Sequence, residues 1–532
     1  MTMVRLSSFD VLTVLILAIW LPCRGYALED KIARITANVL LQKDANGTVV
    51  QLFQWRWTDV ARECCEFLGP HGVDAVQISP PMEQITAPQW WSSYQPVSYK
   101  LGNRLGDEQG LASMVKTCSK CGVKIIADAV TNHMASGAGT GSSGSSFGGR
   151  GFPGTYSPPD FHHHPGDLTT NCQITDYTDR ENVQLCDLVG LPDLDSSADW
   201  PRHRLGAYLG SLGALGVAGF RVDAAKHQDA HALGQILSAN VSAAGLEVYQ
   251  EVIGASGEAV KPSEYIGNGR VTEFALSYRL SAAVRSGDFA SMPQIAEASD
   301  LLPSDSALSF IDNHDSQRSA HALNANTSAQ MLHPQGARGI SRNASRAFAS
   351  VLTYRDGELY AIAAAFLLAW PYGRVRLMSS YYFDDHDQGP PATPVYGGSG
   401  SAHPSCGDGH PWVCEHRWAA IAGMVRWRRV AGDAKVTHLV SDGSGRLAFA
   451  RGAKAFIALA NPSAGTWQAQ LQTGLPPGTY CDVASGAGGF GPPGAPCAHN
   501  VTVSPEGMVS LAVGDSGVHV IAIHVGAVVV RL

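Results

Sequence analysis

The chain is short of charge and lacks the features that tie a protein to nucleic acid or to a bilayer. Of its 532 residues 16% are charged, the formal net charge is −8, and no basic run stands out. A nucleic-acid partner, which needs clustered Lys and Arg, is therefore not expected. Long hydrophobic runs are missing too. The apolar stretches at 11–21 and 518–530 are both shorter than the roughly 20 residues that span a membrane. Cys118-x-x-Cys121 has no second half at metal-site spacing, so a structural zinc is not indicated. What remains is 45% hydrophobic and too long for one small core, which implies two or three domains.

The N-terminus reads as an export signal. Arg5 precedes the apolar stretch, and Gly25 and Ala27 offer a cleavage site after residue 27. A retained anchor is the alternative. Without the signal no membrane association is expected. Cys23 lies inside this segment, and the ten other cysteines fit a disulfide framework whose pairing is not readable from spacing.

Short β-branched or apolar runs recur at 49–53, 73–79, 123–130, 217–222, 246–252, 271–274, 307–311 and 374–378, with helix-compatible stretches between them. Eight such strands favour a parallel α/β barrel or a doubly wound sheet, and periodicity does not choose between the two. Residues 136–199 break the pattern. They begin with a Gly/Ser-rich stretch, and Cys172 and Cys186 argue for an ordered excursion over a disordered linker. Beyond about residue 435 alternating segments separated by Gly, Pro and Asp predict an antiparallel β domain.

Acids gather at the ends of the candidate strands. Asp128 is followed by Asn132 and His133; Asp223 follows Gly219-Phe220-Arg221-Val222, Glu251 follows Val248-Tyr249-Gln250, and Asp312 and Asp315 follow Phe310-Ile311. In a barrel, catalytic groups collect at the C-terminal strand ends. Breaking a glycosidic bond needs two carboxyls, one ionised and one protonated. The plain alternative is that each acid is a helix N-cap, a reading that weakens when several occur together. Arg221 lies two residues before Asp223, on the same side of a strand. It would hold that carboxylate ionised, or form only a structural ion pair. The tract His162-His163-His164 reads as a solvated loop rather than a metal site.

The blocks DAVTNH (128–133), GFRVDAAKH (219–227), EVI (251–253) and FIDNHD (310–315) resemble the four signature blocks of the α-amylase family of glycoside hydrolases. FQWRW (53–57), WWSSYQPVSYKL (90–101), WPYG (370–373) and WVCEHRW (412–418) extend the resemblance to the animal-type, chloride-dependent α-amylases. The resemblance implies a (β/α)8 TIM barrel, domain A, at 28–133 and 200–435. It also implies an inserted domain B after the third strand, at 134–199, and a C-terminal antiparallel β domain C at 436–532. It implies a secreted, monomeric endo-hydrolase of α-1,4 bonds in starch, glycogen and maltooligosaccharides.

Residue by residue, Asp223 matches the nucleophile, Glu251 the general acid/base and Asp315 the third carboxylate. Trp90, Trp91, Tyr94, Gln95, His133, Lys226, His227 and His314 match substrate-binding positions. Asn132, Asp193 and the carbonyls of Gln184 and His227 match calcium ligands. Arg221, Asn313 and Arg376 match chloride ligands. The family pairs Cys64 with Cys118, Cys172 with Cys186, Cys406 with Cys414 and Cys481 with Cys497. Cys65 and Cys121 are extra, and form either a fifth bridge or two buried thiols. Gln184 stands where close relatives have Arg. Gly102 and Ala135 replace a cysteine pair, and the family's Gly-rich loop gives way to an altered stretch at 319–349.

Overall fold

Eight short strands alternate with helices and close on themselves in chain order. They are β1 (Thr48–Leu52), β2 (Ala75–Ile78), β3 (Lys124–Val130), β4 (Gly219–Asp223), β5 (Glu247–Gln250), β6 (Arg270–Thr272), β7 (Ala307–Ser309) and β8 (Arg374–Ser379). The computed structural model describes residues 47–324, 351–397, 403–485 and 497–529. The expected signal segment and most of 319–349 lie outside these residues. All neighbouring barrel strands pair in parallel, and β1 joins both β2 and β8, with Val50 opposite Val76 and Leu377. That closure excludes the doubly wound sheet.

Every residue of β1, β2, β4, β5 and β8 is buried, as expected of strands covered on one face by helices and on the other by the barrel interior. The two-residue period sends Gln51, Gln77, Asp128, Arg221, Tyr249 and Arg376 to the same side. Their contacts show that side to be the barrel lumen. Tyr249 Oη donates to Gln77 Oε1 (2.8 Å), Gln77 Nε2 to Asp128 Oδ2 (3.4 Å) and Arg376 Nη1 to Gln77 Oε1 (3.2 Å). Deeper, Glu247 bridges Arg270 (2.9 Å) and Arg374 (2.6 Å). The lumen therefore carries a polar column that rises toward the C-terminal strand ends.

The outer layer includes α1 (Trp57–Glu63), α2 (Glu108–Lys120), α3 (Asp199–Ala214), α4 (Ala230–Leu237), α5 (Phe274–Ser286), α6 (His314–Asn324), α7 (Glu358–Ala369) and α8 (Ala419–Ala431). Local chemistry sets their ends. Asp107 caps α2 by accepting from the Gly110 N–H (2.8 Å), and α5 stops at Gly287, whose φ of 74° is left-handed. Between β3 and α3 the chain makes an ordered excursion. It holds a hairpin (Ala138–Thr140 with Ser146–Gly148), a short helix (Arg180–Leu185), the Cys172–Cys186 bridge and a buried Arg150–Asp187 pair at 2.7 Å.

The C-terminal region forms a four-stranded antiparallel sheet from Val436–Ser441, Arg446–Arg451, Ala455–Ala460 and Val520–His524, plus two antiparallel pairs. It is fastened to the helical layer through buried donors. Trp427 Nε1 reaches the carbonyls of Phe456 (3.2 Å) and Ile523 (3.0 Å), and Arg451 Nη1 reaches that of Ala369 (2.7 Å). Five disulfides form, the fifth being Cys65–Cys121 beside Cys64–Cys118, with Cα atoms 5.1 Å apart in both. The CxxC motif is thus consumed by two bridges. Among the described residues no helix is long and apolar enough to cross a membrane.

Glu63, at the end of α1, is fully buried and binds Arg417 Nη2 (2.6 Å) and His416 Nε2 (2.8 Å). Burial alone would raise its carboxyl, but His416 and Arg417 overcome that and hold it at about 2, below the ordinary 4.5. A depressed carboxyl stabilises the fold fully above its unfolded value and loses that contribution as pH falls toward its folded one. We expect Glu63→Gln to cost about 3 kcal/mol near neutral pH, and about half as much near pH 3. Thermal midpoints of both proteins at the two pH values check this; an equal gap at both contradicts it.

Candidate active site

Asp223 closes β4 and Glu251 follows β5 directly, so adjacent parallel strands deliver two carboxyls to one end of the barrel. Arg221 joins them. Its Nη1 donates to Asp223 Oδ1 and to Asp128 Oδ1 (2.8 Å), and its Nη2 contacts Glu251 Oε2 (2.9 Å). Asp223 and Glu251 thus sit on the two terminal nitrogens of one guanidinium. Ala224, between Asp223 and the turn Ala225–His227, adopts a left-handed φ of 48° and donates its N–H to Glu251 Oε2 (2.9 Å). A non-glycine residue rarely holds that conformation, and here it aims a backbone donor at a catalytic candidate.

The electrostatics follow from three acids sharing one cation. Burial pushes the Asp223 carboxyl up, the Arg221 charge opposes it, and Glu251 and Asp128 push it further. Burial also raises Asp315 to about 7, with Glu251 adding to the effect and Arg221 and Arg318 opposing it. Burial and mutual repulsion thus work against ionisation of Asp223 and Asp315, and the Arg221 charge works for it.

Aromatic rings wall the site. Tyr94 Oη donates to Asp128 Oδ2 (3.0 Å), and its ring stacks on His314 with centroids 5.0 Å apart. His314 is sandwiched by Phe53 on its other face (4.7 Å) and edged by Trp90 (5.4 Å). Its Nε2 lies 3.3 Å from Asp315 Oδ2, and Gln51 Nε2 meets its Nδ1 at 3.2 Å. His133 Nε2 meets the Tyr94 carbonyl at 3.0 Å. Lys226 pairs with buried Glu258 (2.6 Å). Gln95 Oε1 accepts from the Ser136 N–H (3.2 Å), and the His227 ring meets the Val183 carbonyl (3.1 Å). Trp91 is half-buried against the core.

Two ion positions can be tested against donor chemistry. Asn132 and Asp193 are joined by the backbone bridge of His133 with Asp193, and Asn132 Oδ1 and Asp193 Oδ1 are both buried without a hydrogen-bond partner. Gln184 and His227 adjoin them, since Gln184 Nε2 donates to the Gln228 carbonyl (3.2 Å) and Gln228 Nε2 donates to Thr131 Oγ1 (2.8 Å). Orphaned oxygens plus carbonyls suit a hard cation such as calcium. Among the described residues no group of three or more His, Cys, Asp or Glu side chains is placed to hold a metal ion. His162 is not the solvated residue its sequence suggests: it binds Asp193 Oδ2 (2.6 Å) beside this junction. At the other position, Arg376 is buried and makes no ion pair among the described residues. Its Nη2 and the Arg221 Nε both lack a partner. Asn313 lies in the turn leading into α6, its Oδ1 accepting from the Ser316 N–H (2.8 Å). Unpaired buried donors of this kind suit an anion.

Residues 438–524 match the family model described as "Alpha amylase, C-terminal all-beta domain". The α-amylase of Tribolium castaneum is 39% identical over 504 residues, 90% of this chain and 94% of that one. That of Tenebrio molitor is 39% identical over 517 residues, 91% of this chain and 100% of that one. The chain belongs to the animal-type α-amylases. Among solved structures, a mutant of alpha-amylase I from Eisenia fetida in complex with maltohexaose superposes with a TM-score of 0.77. It is 38% identical, covering 90% of this chain and 97% of that chain.

For this α-amylase, sequence reasoning missed several residues of the site. Gln77 links Tyr249, Arg376 and Asp128; Glu258 holds Lys226; and Arg318 lies behind His314. Gln77 carried one usable signal, a polar residue inside an apolar strand run. Glu258 carried none, since only the fold brings it to Lys226.

Proposed function

We propose that this α-amylase is a secreted, monomeric endo-hydrolase that cuts internal α-1,4 bonds of starch and glycogen with retention of configuration. Asp223 is the nucleophile, Glu251 the general acid/base and Asp315 the third carboxylate that binds sugar hydroxyls. The observation that carries this reading is the pairing of Asp223 and Glu251 on one guanidinium at adjacent strand ends. A retaining hydrolase needs its two carboxyls about 5–5.5 Å apart, close enough for one to attack while the other protonates the leaving oxygen. The maltohexaose bound to the Eisenia relative supports an α-glucan substrate. Trp90, Tyr94, His133 and His314 would line its path. Five disulfides fit an extracellular setting. The domain limits inferred from the sequence stand as part of the same reading.

Asn132, Asp193 and the backbone carbonyls of Gln184 and His227 would hold calcium, which would supply a cross-link between the barrel and the excursion. Chloride is assigned to Arg221, Asn313 and Arg376, where it supplies negative charge beside the acids. Positive charge next to a general acid favours loss of its proton. Chloride removal should therefore depress activity most on the alkaline side and move the optimum to lower pH.

Digestion of starch with product analysis, with and without chloride, tests the reading. Maltooligosaccharides released from chain interiors are expected. Arg376→Gln should weaken the chloride response and leave starch hydrolysis in place. Release of glucose from chain ends alone contradicts the endo reading. An unchanged pH profile in chloride-free buffer removes the chloride site and leaves the hydrolase standing.

A further inference from the structure

Arg318 sits one helical turn beyond Asp315 on α6 and is 1% exposed. Among the described residues it makes no ion pair, and its Nε has no hydrogen-bond partner. Its guanidinium carbon lies 5.2 Å from the Phe53 ring centroid, 4.7 Å from Trp90, 5.4 Å from Tyr381 and 4.5 Å from Phe383. Two directed bonds leave this aromatic cage. Nη1 donates to the His314 carbonyl (2.8 Å) and Nη2 to Tyr381 Oη (2.8 Å), whose own proton goes to the Gln388 carbonyl (2.7 Å).

A buried cation without a carboxylate is costly, and an apolar side chain would fill a cage of rings without that cost. Ring faces compensate part of it. What an apolar side chain could not do is grip the peptide between His314 and Asp315. Arg221 cannot substitute, since it is already engaged by Asp128, Asp223 and Glu251. We propose that Arg318 is a positioning residue for hydrolysis: by clamping the His314 carbonyl it fixes the peptide that presents both the His314 ring and the Asp315 carboxyl to the sugar, and it places positive charge behind Asp315. The inference rests on the role given to Asp315 above. The same residue forms a wall behind Trp90, so a purely structural role would disturb substrate binding first.

Steady-state kinetics on a maltooligosaccharide separate the two. Arg318→Met should lower kcat by about 30-fold with KM within about twofold, the pattern of an interaction made in the transition state. Arg318→Lys, which keeps the charge but not the planar fork, should recover part of kcat. In an Asp315→Asn background, Arg318→Met should change kcat by less than about threefold, because the two act as one unit. Multiplicative effects in the double variant overturn the proposal while Asp315 keeps its role. An Asp315→Asn protein with near-normal kcat overturns both. If the methionine variant does not fold, the lysine variant decides: a reduced kcat at unchanged KM supports the proposal, and a normal kcat with raised KM overturns it.

Discussion

Asp223→Asn and Glu251→Gln are each expected to lower kcat on starch by about 10⁴-fold or more while leaving the fold intact, since each removes one half of a two-carboxyl reaction. The size of the effect follows from how little can substitute. Asp223 lies at the floor of the site, bound to Arg221, and an amide there can neither attack the anomeric carbon nor balance that guanidinium. Asp128 is no reserve nucleophile. It is fully buried and already accepts from Arg221 (2.8 Å) and Tyr94 (3.0 Å). Glu251 is held by the Arg221 guanidinium and by the Ala224 N–H, a donor aimed by a strained left-handed residue. A glutamine could occupy that place but could not pass a proton to the leaving oxygen and later take one from water. NMR of the first products from the unmodified enzyme should show α-anomers. Early β-anomers would mean that water attacks directly, and the roles given to Asp223 and Glu251 would then be wrong. Circular dichroism of both variants should match the parent, so that lost activity is not lost structure.

Much of this arrangement was legible because a parallel barrel writes its chemistry at strand ends. All eight runs read from the sequence became barrel strands, and Asp223 and Glu251 lie at the ends of two of them. The excursion was legible as an interruption of pattern. Closure was not, since a barrel and a doubly wound sheet share the same alternation until the first and last strands pair. Contacts between distant segments were equally silent. Arg318 reads as an ordinary polar helix residue, and only the fold surrounds it with Phe53, Trp90, Tyr381 and Phe383. The extra cysteines show the same limit. Cys64 and Cys65 are adjacent and ought to point apart. Their partners Cys118 and Cys121 are spaced by three residues at the end of α2, so two divergent sulfurs each find a match. His162 was misjudged because a histidine run looks solvated until Asp193 and Asp195 are brought beside it.

Exhaustive chelation is expected to lower the thermal midpoint and remove most activity, with calcium restoring both. The junction it would disturb is the one that ties the excursion to the barrel. Asn132 follows β3, Gln184 and Asp193 belong to the excursion, and His227 ends the short turn that follows β4. The junction's direct ties include the His133–Asp193 bridge, the Leu194 N–H to Asn132 carbonyl bond (2.9 Å), the Gln184–Gln228 bond and the contact of the His227 ring with the Val183 carbonyl (3.1 Å). Burial pushes the Asp193 carboxyl up to about 7 against the pull of His162, and its Oδ1 remains without a partner, as does Asn132 Oδ1. A buried oxygen pair of this kind destabilises the protein unless something satisfies it. A cation that binds only the native state stabilises by mass action, by about 4 kcal/mol when free calcium exceeds its Kd about 1,000-fold. Loss of that cross-link reaches the active site through His133, whose ring holds the Tyr94 carbonyl, and through Lys226, one residue before His227. Asp193→Ala should reproduce the chelated state and blunt the response to added calcium. A metal-free preparation with an unchanged midpoint and unchanged activity would show that the two orphaned oxygens hold no ion.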